Sequence, residues 1–528
     1  MPPGTAFRIV DSVETVAPRI SILSGKGVSR RRRLTTEAAI KAFFGSNAVV
    51  AIVVLALITI FLFREGFGFF GQNLANLRLY RRAGLEYVDI IRGQAQTHAA
   101  LSRQLGEIRL EEMRALSSGG NLEAFDQFAG AFSDSGEFLN ALVSDANDQA
   151  LALREALIAA GTPSAVSSAE AQPSTGIAAP IDPRASMIAL RSADDKFPKI
   201  AEAMKAKIDS LLTAPPVLSN LKAKQSFESW KKKTRDYLAQ LPPVSQRLRE
   251  WDPDKPVPAY RAITAFLFGT DWVTASFWQD WYGIIPLLVG SIMVATVALL
   301  LAVPLGVCSA IYVSEVAARS EKSLIKPYIE FISAIPSVVL GFFGIAVVGQ
   351  AVRALSQMPF MKWVPFFPIS ERLNVFTAGS LLALMAVPTI FTLAEDALQN
   401  VPRGFKEASY ALGANRLQTI ARVLVPASLS GIISAVLLGL GRVIGETMVV
   451  LLCAGNRIAI PDFTQGLGAF FQPVHTMTGI IAQEMGEVVR GSIHYRALFM
   501  VGLVLFALTL GINYLAQRLV ARYRMSIG

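Results

Sequence analysis

The 528-residue chain is 52% hydrophobic and only 17% charged, with a mean hydropathy of +0.43. A soluble chain of this length carries about a quarter charged residues, so composition excludes an ordinary soluble protein and puts the chain in the membrane class. The net charge of +10 does not point to nucleic acid, because the basic residues flank apolar runs and form no face interleaved with aromatics.

Residues 1–42 form a basic N-terminal segment that includes Arg30-Arg31-Arg32-Arg33, expected to stay in the cytoplasm. Residues 43–63 are apolar and predict a first transmembrane helix. Arg64-Glu65-Gly66 follows, with no small-residue cleavage site, so this run reads as an uncleaved signal anchor. Residues 64–270 are polar, with helical spacing at Leu105, Ile108, Leu110 and Met113. They predict a periplasmic, mostly helical insertion of two halves, joined by a flexible linker near 161–185 that opens on Gly161-Thr162-Pro163. Lys231-Lys232-Lys233 lies within it; long translocated domains largely escape the charge rule for loops.

Residues 271–528 predict the membrane domain. Candidate spans are Ile284–Tyr312, Tyr328–Val352, Val375–Leu393, Ala427–Leu452 and Ala497–Ala516, judged against the roughly 20 residues that cross a bilayer. Threaded after the anchor, they put three basic stretches on one side: Arg319, Lys322 and Lys326; Arg403, Lys406, Arg416 and Arg422; and Arg518, Arg522 and Arg524. The expected topology is six spans with both termini cytoplasmic. Cys308 and Cys453 both sit in apolar runs and cannot staple an extramembrane domain.

The loop from 396 to 426 predicts a short helix from Pro402, a suitable first helical residue, to Gly413, a left-handed stop. Phe405, Ala408 and Leu412 share one face. Asn415 and Gln418 predict a capping box that starts the next helix. A compact helix–turn–helix of this kind either docks into another subunit or rests on lipid. Further on, Arg442 and Glu446 stand in the apolar run Ala427–Leu452. Charges at that depth are costly, so a continuous helix would turn both, four residues apart, toward the bundle or a water-filled path. Two readings remain: an internal salt bridge that locks packing, or a guanidinium offering a fork of donors to an anion.

Glu407-Ala408-Ser409, then Gly413, then Pro426 resembles the loop of ABC-importer permeases that couples to the ATPase. Gly441-Arg442-Val443-Ile444-Gly445-Glu446-Thr447-Met448 resembles the signature of phosphate ABC permeases. So do Ile335-Pro336-Ser337 with Gly341-Phe342-Phe343-Gly344, and Tyr282-Gly283 through Pro304-Leu305-Gly306 to Glu315. Met448 after Glu446-Thr447 is similar to the PstC type rather than its PstA-type partner. The resemblance covers roughly residues 275–528. It implies an all-α integral membrane protein of six spans with an ABC-permease core, in a bacterial inner membrane. It implies Arg442, Glu446 and Thr447 as substrate-pathway residues. It implies as partners a PstA-type permease, a PstB-type ATPase dimer holding ATP and Mg2+, and a PstS-type periplasmic phosphate-binding protein.

The chain carries no phosphate-binding Gly-rich loop of the ATPase kind, and Gly25-Lys26-Gly27 lacks the upstream glycine and the hydroxyl. It carries no cofactor, metal-ligand cluster or nucleophile motif, and His98, His475 and His494 are scattered, so the expectation is a transport subunit rather than an enzyme. The alternatives are the same machinery moving sulfate, molybdate or phosphonate, and a membrane sensor whose insertion detects a ligand.

Overall fold

The structure, a computed structural model, describes residues 30–115, 122–159, 183–361, 363–364 and 366–523. The segment before Arg30, the expected linker as far as residue 182 and Arg524 lie outside the described residues. The chain divides into two compact units, Met1–Leu62 and Phe63–Gly528. Helix α1 (Arg30–Arg82) is continuous through the boundary, so the first span continues well past Phe63. In the first unit, α1 from Ile40 onward is apolar enough to cross a membrane.

In the second unit, α1 leads into a helical bundle: α2 (Leu85–Ala115), α3 (Glu123–Asp134), α4 (Glu137–Ala159), α5 (Pro183–Arg191), α6 (Ala193–Thr213) and α7 (Leu221–Arg249). Its spine is a heptad-like pair. In α7 the buried residues Ala223, Phe227, Trp230, Thr234, Tyr237, Leu241, Val244 and Leu248 recur every three or four positions. In α2, Ile91, Ala95, His98, Leu101, Leu105, Ile108 and Glu112 do the same, and the two helices pack together. The helices before and after the linker share one hydrophobic core centred on Phe128, Phe132, Phe227 and Trp230. The expectation of two halves is thus corrected to a single core. Glu112, a charged group at the edge of this core, is paired: its carboxylate accepts from the Ser219 and Asn220 backbone N–H groups at 2.6 and 3.0 Å.

The bundle is fastened to the membrane core through α8 (Tyr260–Leu267) and a short hairpin, β1 (Trp272–Val273) and β2 (Trp281–Tyr282), in which Trp272 pairs with Tyr282. Between the strands, Trp278 Nε1 donates to both Asp89 carboxylate oxygens at 3.1 Å, and the Arg92 guanidinium lies 3.9 Å over the Trp278 ring. Tyr80 donates to Asp89 at 2.5 Å, and Arg154 donates to the Phe277 carbonyl at 2.8 Å.

The membrane core follows: α9 (Ile285–Ile311), α10 (Arg319–Ser333), α11 (Ser337–Phe343), α12 (Gly349–Ser356), α13 (Val375–Gln399), α14 (Arg403–Ala411), α15 (Arg416–Thr419), α16 (Val425–Ile444), α17 (Met448–Cys453), α18 (Met477–Glu484) and α19 (Ile493–Tyr523). With π turns bridging several joints, six stretches are long and apolar enough to span: Ile40–Arg82, Ile285–Val316, Ser337–Ser356, Val375–Gln399, Arg416–Ile444 and Ile493–Arg518. α13 is central and packs on both α9 and α16. Close approach is made by small residues: a Cβ on Gly306 of α9 would meet Ile390 Cγ2 at 2.9 Å, and one on Gly439 of α16 would meet Ile390 Cγ1 at 2.7 Å.

Two expected spans are corrected. The run Tyr328–Val352 is not one helix: the chain breaks between Ser333 and Ser337, because Pro336 has no N–H to donate and disfavours helical geometry at Ile335. α10 is amphipathic, and the span begins at Ser337. The run Ala427–Leu452 also breaks, after Ile444, where Gly445 ends α16 and Met448 starts α17.

His98 yields a prediction. It is buried, its ring stacks on Phe132 at 4.8 Å, and its Nε2 donates to the Phe132 carbonyl at 3.1 Å. Burial lowers its pKa below the ordinary 6.5. The unfolded chain therefore takes up the proton first as pH falls. Bundle stability is expected to be flat in this residue's contribution above pH 6.5 and to decline below it, by at most about 1.4 kcal/mol per pH unit. Thermal unfolding of the full chain, followed by tryptophan fluorescence from pH 7.5 to 5, checks this; His98→Gln removes that slope.

Candidate functional site

Two groups of residues carry candidate chemistry, one at the end of the core formed by the 400–424 loop and one where the end of α16 meets the middle of α13.

The loop is built as a rigid turn. α14 starts at Arg403, one position later than expected, so that Pro402 is its N-cap rather than its first residue. Gly413 adopts φ +81°, the left-handed conformation that turns the chain at least cost without a Cβ. The Asn415–Gln418 capping box forms: the Asn415 side chain accepts from Gln418 N at 2.8 Å, and Gln418 Oε1 accepts from Asn415 N at 3.0 Å. Ser409 is buried, and its hydroxyl pairs with Thr419 Oγ1 at 2.9 Å, locking α14 to α15. Glu407 and Ala408 are exposed beside it. Phe405, Ala408, Leu412 and Gly413 line an open cleft of about 470 Å³ with Arg422 and Val423, and Leu412 is 89% exposed. An apolar face this open, on a turn this well tied, is not a packed core element of this chain. Pro426 stands at the start of α16, beyond the π turn Ile420–Leu424.

Arg442 projects from the last turn of α16 and donates through Nη1 to Thr389 Oγ1 of α13 at 2.9 Å. Thr389 lies well inside α13, about 21 Å from its start at 1.5 Å per residue. Among the described residues the guanidinium makes this one hydrogen bond, and the residue is exposed on the chain's surface. The expectation that Arg442 and Glu446 share a helix face is corrected: α16 ends at Ile444, Glu446 lies in the break, and among the described residues no ion pair joins them. Half-buried Glu446 uses Oε1 to accept from Met448 N at 3.1 Å, capping α17, while its carbonyl accepts from Thr478 Oγ1 at 2.8 Å. Thr447 sits in the same break, its hydroxyl 3.4 Å from the Gly445 carbonyl.

The Ile335–Gly344 stretch has a packing role. Pro336 caps α11, with Ile335 and Ser337 half-buried around the break. A Cβ on Gly341 would meet Leu452 Cδ1 at 2.4 Å, and one on Gly344 would meet Leu381 Cδ1 at 2.3 Å and Cys453 Sγ at 2.5 Å. Cys453 Sγ in turn donates to the Gly341 carbonyl at 3.3 Å. Phe342 and Phe343 point outward, 60% and 46% exposed. The glycines thus seat the span against α13 and α17, while the phenylalanines face away from the chain.

Sequence reasoning reached Glu315 only as the end of a family-like stretch and missed its partners; it is buried in the π turn Tyr312–Val316 that ends the first core span. Its carboxylate meets Lys406 Nζ of α14 at 2.5 Å. Its backbone carbonyl accepts from Arg416 Nη2. Glu395 of α13 is likewise buried and meets Lys326 of α10 at 3.0 Å. Each pairing spans tens of residues, so nothing local announces it.

A helical core of long apolar stretches with an exposed helix–turn–helix at one end is the architecture of a membrane permease. Residues 302–525 match the family described as binding-protein-dependent transport system inner membrane component. A probable ABC transporter permease, YqgH of Bacillus subtilis, is 37% identical over 45% of this chain and 72% of its own length. The phosphate transport system permease PstC of Haemophilus influenzae is 31% identical over 49% of this chain and 84% of its own length. A chain of the inward-facing MetNI methionine ABC transporter aligns at 19% identity over 46% of this chain and 94% of that chain, with a TM-score of 0.33. The chain belongs to the PstC-type permeases of the binding-protein-dependent transport family.

The Gly341 contact gives the test of this packing. Gly341→Val is expected to lower the thermal stability of the detergent-purified chain by about 1–3 kcal/mol through overpacking against Leu452. Phe342→Ala, at a position that faces outward, is expected to change it by no more than about 0.5 kcal/mol.

Proposed function

We propose that this chain is the membrane-spanning subunit of an ATP-driven importer of inorganic phosphate. The relatives named phosphate transport system permease support the cargo, and so does the Gly441–Met448 signature. The observation that carries the reading is Arg442. A permanently charged planar fork with spare donors, exposed at lipid depth, is costly unless protein or water covers it and an anion uses it. A second permease subunit of PstA type, set against this face, would cover it.

In this reading α14 is the coupling helix and lies in the cytoplasm, as do both termini of the chain. A PstB-type ATPase pair, holding ATP and Mg2+, receives Phe405, Ala408 and Leu412, and the insertion end faces a PstS-type phosphate-binding protein. ATP-driven closure of the ATPases moves α14, the spans part, and phosphate passes Arg442 in a brief bidentate contact. Glu446, with Oε1 occupied by the Met448 N–H, accepts through its other oxygen the hydrogen of a protonated phosphate. Sulfate has no such hydrogen near neutral pH. Thr447 lies beside that oxyanion route.

Uptake in vesicles containing the whole complex tests the reading. Wild type is expected to import phosphate in preference to sulfate on addition of ATP; preference for sulfate, molybdate or phosphonate would reassign the cargo. Arg442→Gln is expected to lower uptake about 10- to 100-fold, the worth of a charge-assisted hydrogen bond of about 1.5–3 kcal/mol, with assembly intact. Glu446→Gln is expected to assemble normally and to narrow the phosphate-to-sulfate preference; an unchanged preference would remove Glu446 from discrimination.

A further inference from the structure

The loop helix α14 is joined by the chain itself to α13 on one side and, through α15, to α16 on the other. The first core span, α9, is remote in sequence and has no such tether. Its end is nevertheless held to the loop by Glu315. Lys406 of α14 meets Glu315 Oε2 at 2.5 Å, and Ser314 Oγ donates to the other carboxylate oxygen at 3.3 Å. From α15, Arg416 donates to the Glu315 carbonyl and reaches the Val316 carbonyl at 3.5 Å. The Glu315 side chain is only 7% exposed and that of Lys406 36% exposed, so the pair is shielded from salt on the span side and reachable on the loop side. One residue therefore offers both its carboxylate and its carbonyl to two separate helices of the same turn.

We propose that Glu315 is the positioning residue that makes the first core span follow the loop helix, so that movement of α14 opens α9 together with α13 and α16. The proposal rests on the reading of α14 as the motor-docking helix. Without this contact, α14 still moves the two spans it is fused to, but α9 lags. The result is hydrolysis without a full opening. Glu395 and Lys326 provide a matched comparison: the same buried carboxylate and lysine geometry, at 3.0 Å, joins α10 to α13 and takes no part in the loop.

The test is the number of ATP molecules hydrolysed per phosphate imported, in vesicles containing the whole complex. Glu315→Gln is expected to raise that ratio by at least about fivefold, the low end of a coupling between two sites. Lys406→Gln, which keeps a donor to the carboxylate but not its charge, raises it less, and serves where Glu315→Gln fails to assemble. Exchanging the pair, Glu315→Lys with Lys406→Glu, restores the ratio toward wild type, whereas removing both charges of the comparison pair, Glu395→Gln with Lys326→Met, leaves it unchanged. A role in stability alone would lower the yield of complex at an unaltered ratio, and that outcome overturns the proposal. Wild-type vesicles that hydrolyse ATP and import no anion would instead sink the transport reading itself.

Discussion

Everything in the membrane core depends on how closely α9, α13 and α16 approach one another. Apolar surface gains nothing by leaving lipid for protein, so helices there associate through tight packing and hydrogen bonds. Ile390 is the wedge that makes the three-helix contact tight, with its branches set against Gly306 on one side and Gly439 on the other. Gly379, where a Cβ would meet Val297 at 2.6 Å, repeats the device nearer the start of α13. The same closeness brings Thr389, the neighbour of the wedge, within reach of Arg442. Packing and the charged site are therefore one arrangement: loosening the first displaces the second.

The two ends of this core are organised differently. At the loop end, charge is buried and paired: Glu315 and Glu395 are almost fully enclosed, each with a lysine from a different short helix. Breaking such a pair leaves an uncompensated carboxylate, which is strongly destabilising, so these contacts hold or the whole end rearranges. At the insertion end, aromatic rings and backbone bonds predominate, as in Trp272 stacked edge-on to Tyr282 at 5.4 Å and the Gly283 N–H donating to the Asp271 carbonyl at 2.8 Å.

Much of this was legible in the sequence, for identifiable reasons. The lengths of the apolar runs revealed the spans. Apolar spacing marked α2, and the Pro402, Gly413, Asn415 and Gln418 pattern marked the loop, because caps and turns are local chemistry. The breaks at Pro336 and Gly445–Thr447 were missed, since hydropathy measures the affinity of side chains for lipid and is silent about the direction of the backbone. That error placed Arg442 and Glu446 on one face, when each has a different partner. The role of Ser409 was not legible, because Thr419 is visible as its partner only after the turn folds. Glu315 and Lys406 are separated by 91 positions, and no periodicity links them.

The junction between the bundle and the core has one geometric consequence. Asp89, in the first turns of α2, is fixed to Trp278 in the hairpin that runs directly into α9. From Asp89, α2 extends without a break to Ala115, about 39 Å at 1.5 Å per residue. A helix clamped at its root behaves as a pointer. A rocking of the hairpin by about five degrees sweeps the distant end of α2 through about 3 Å, given that length. The bundle thus converts a small angular change at the mouth of the core into a displacement large enough to be felt by anything resting against its far tip.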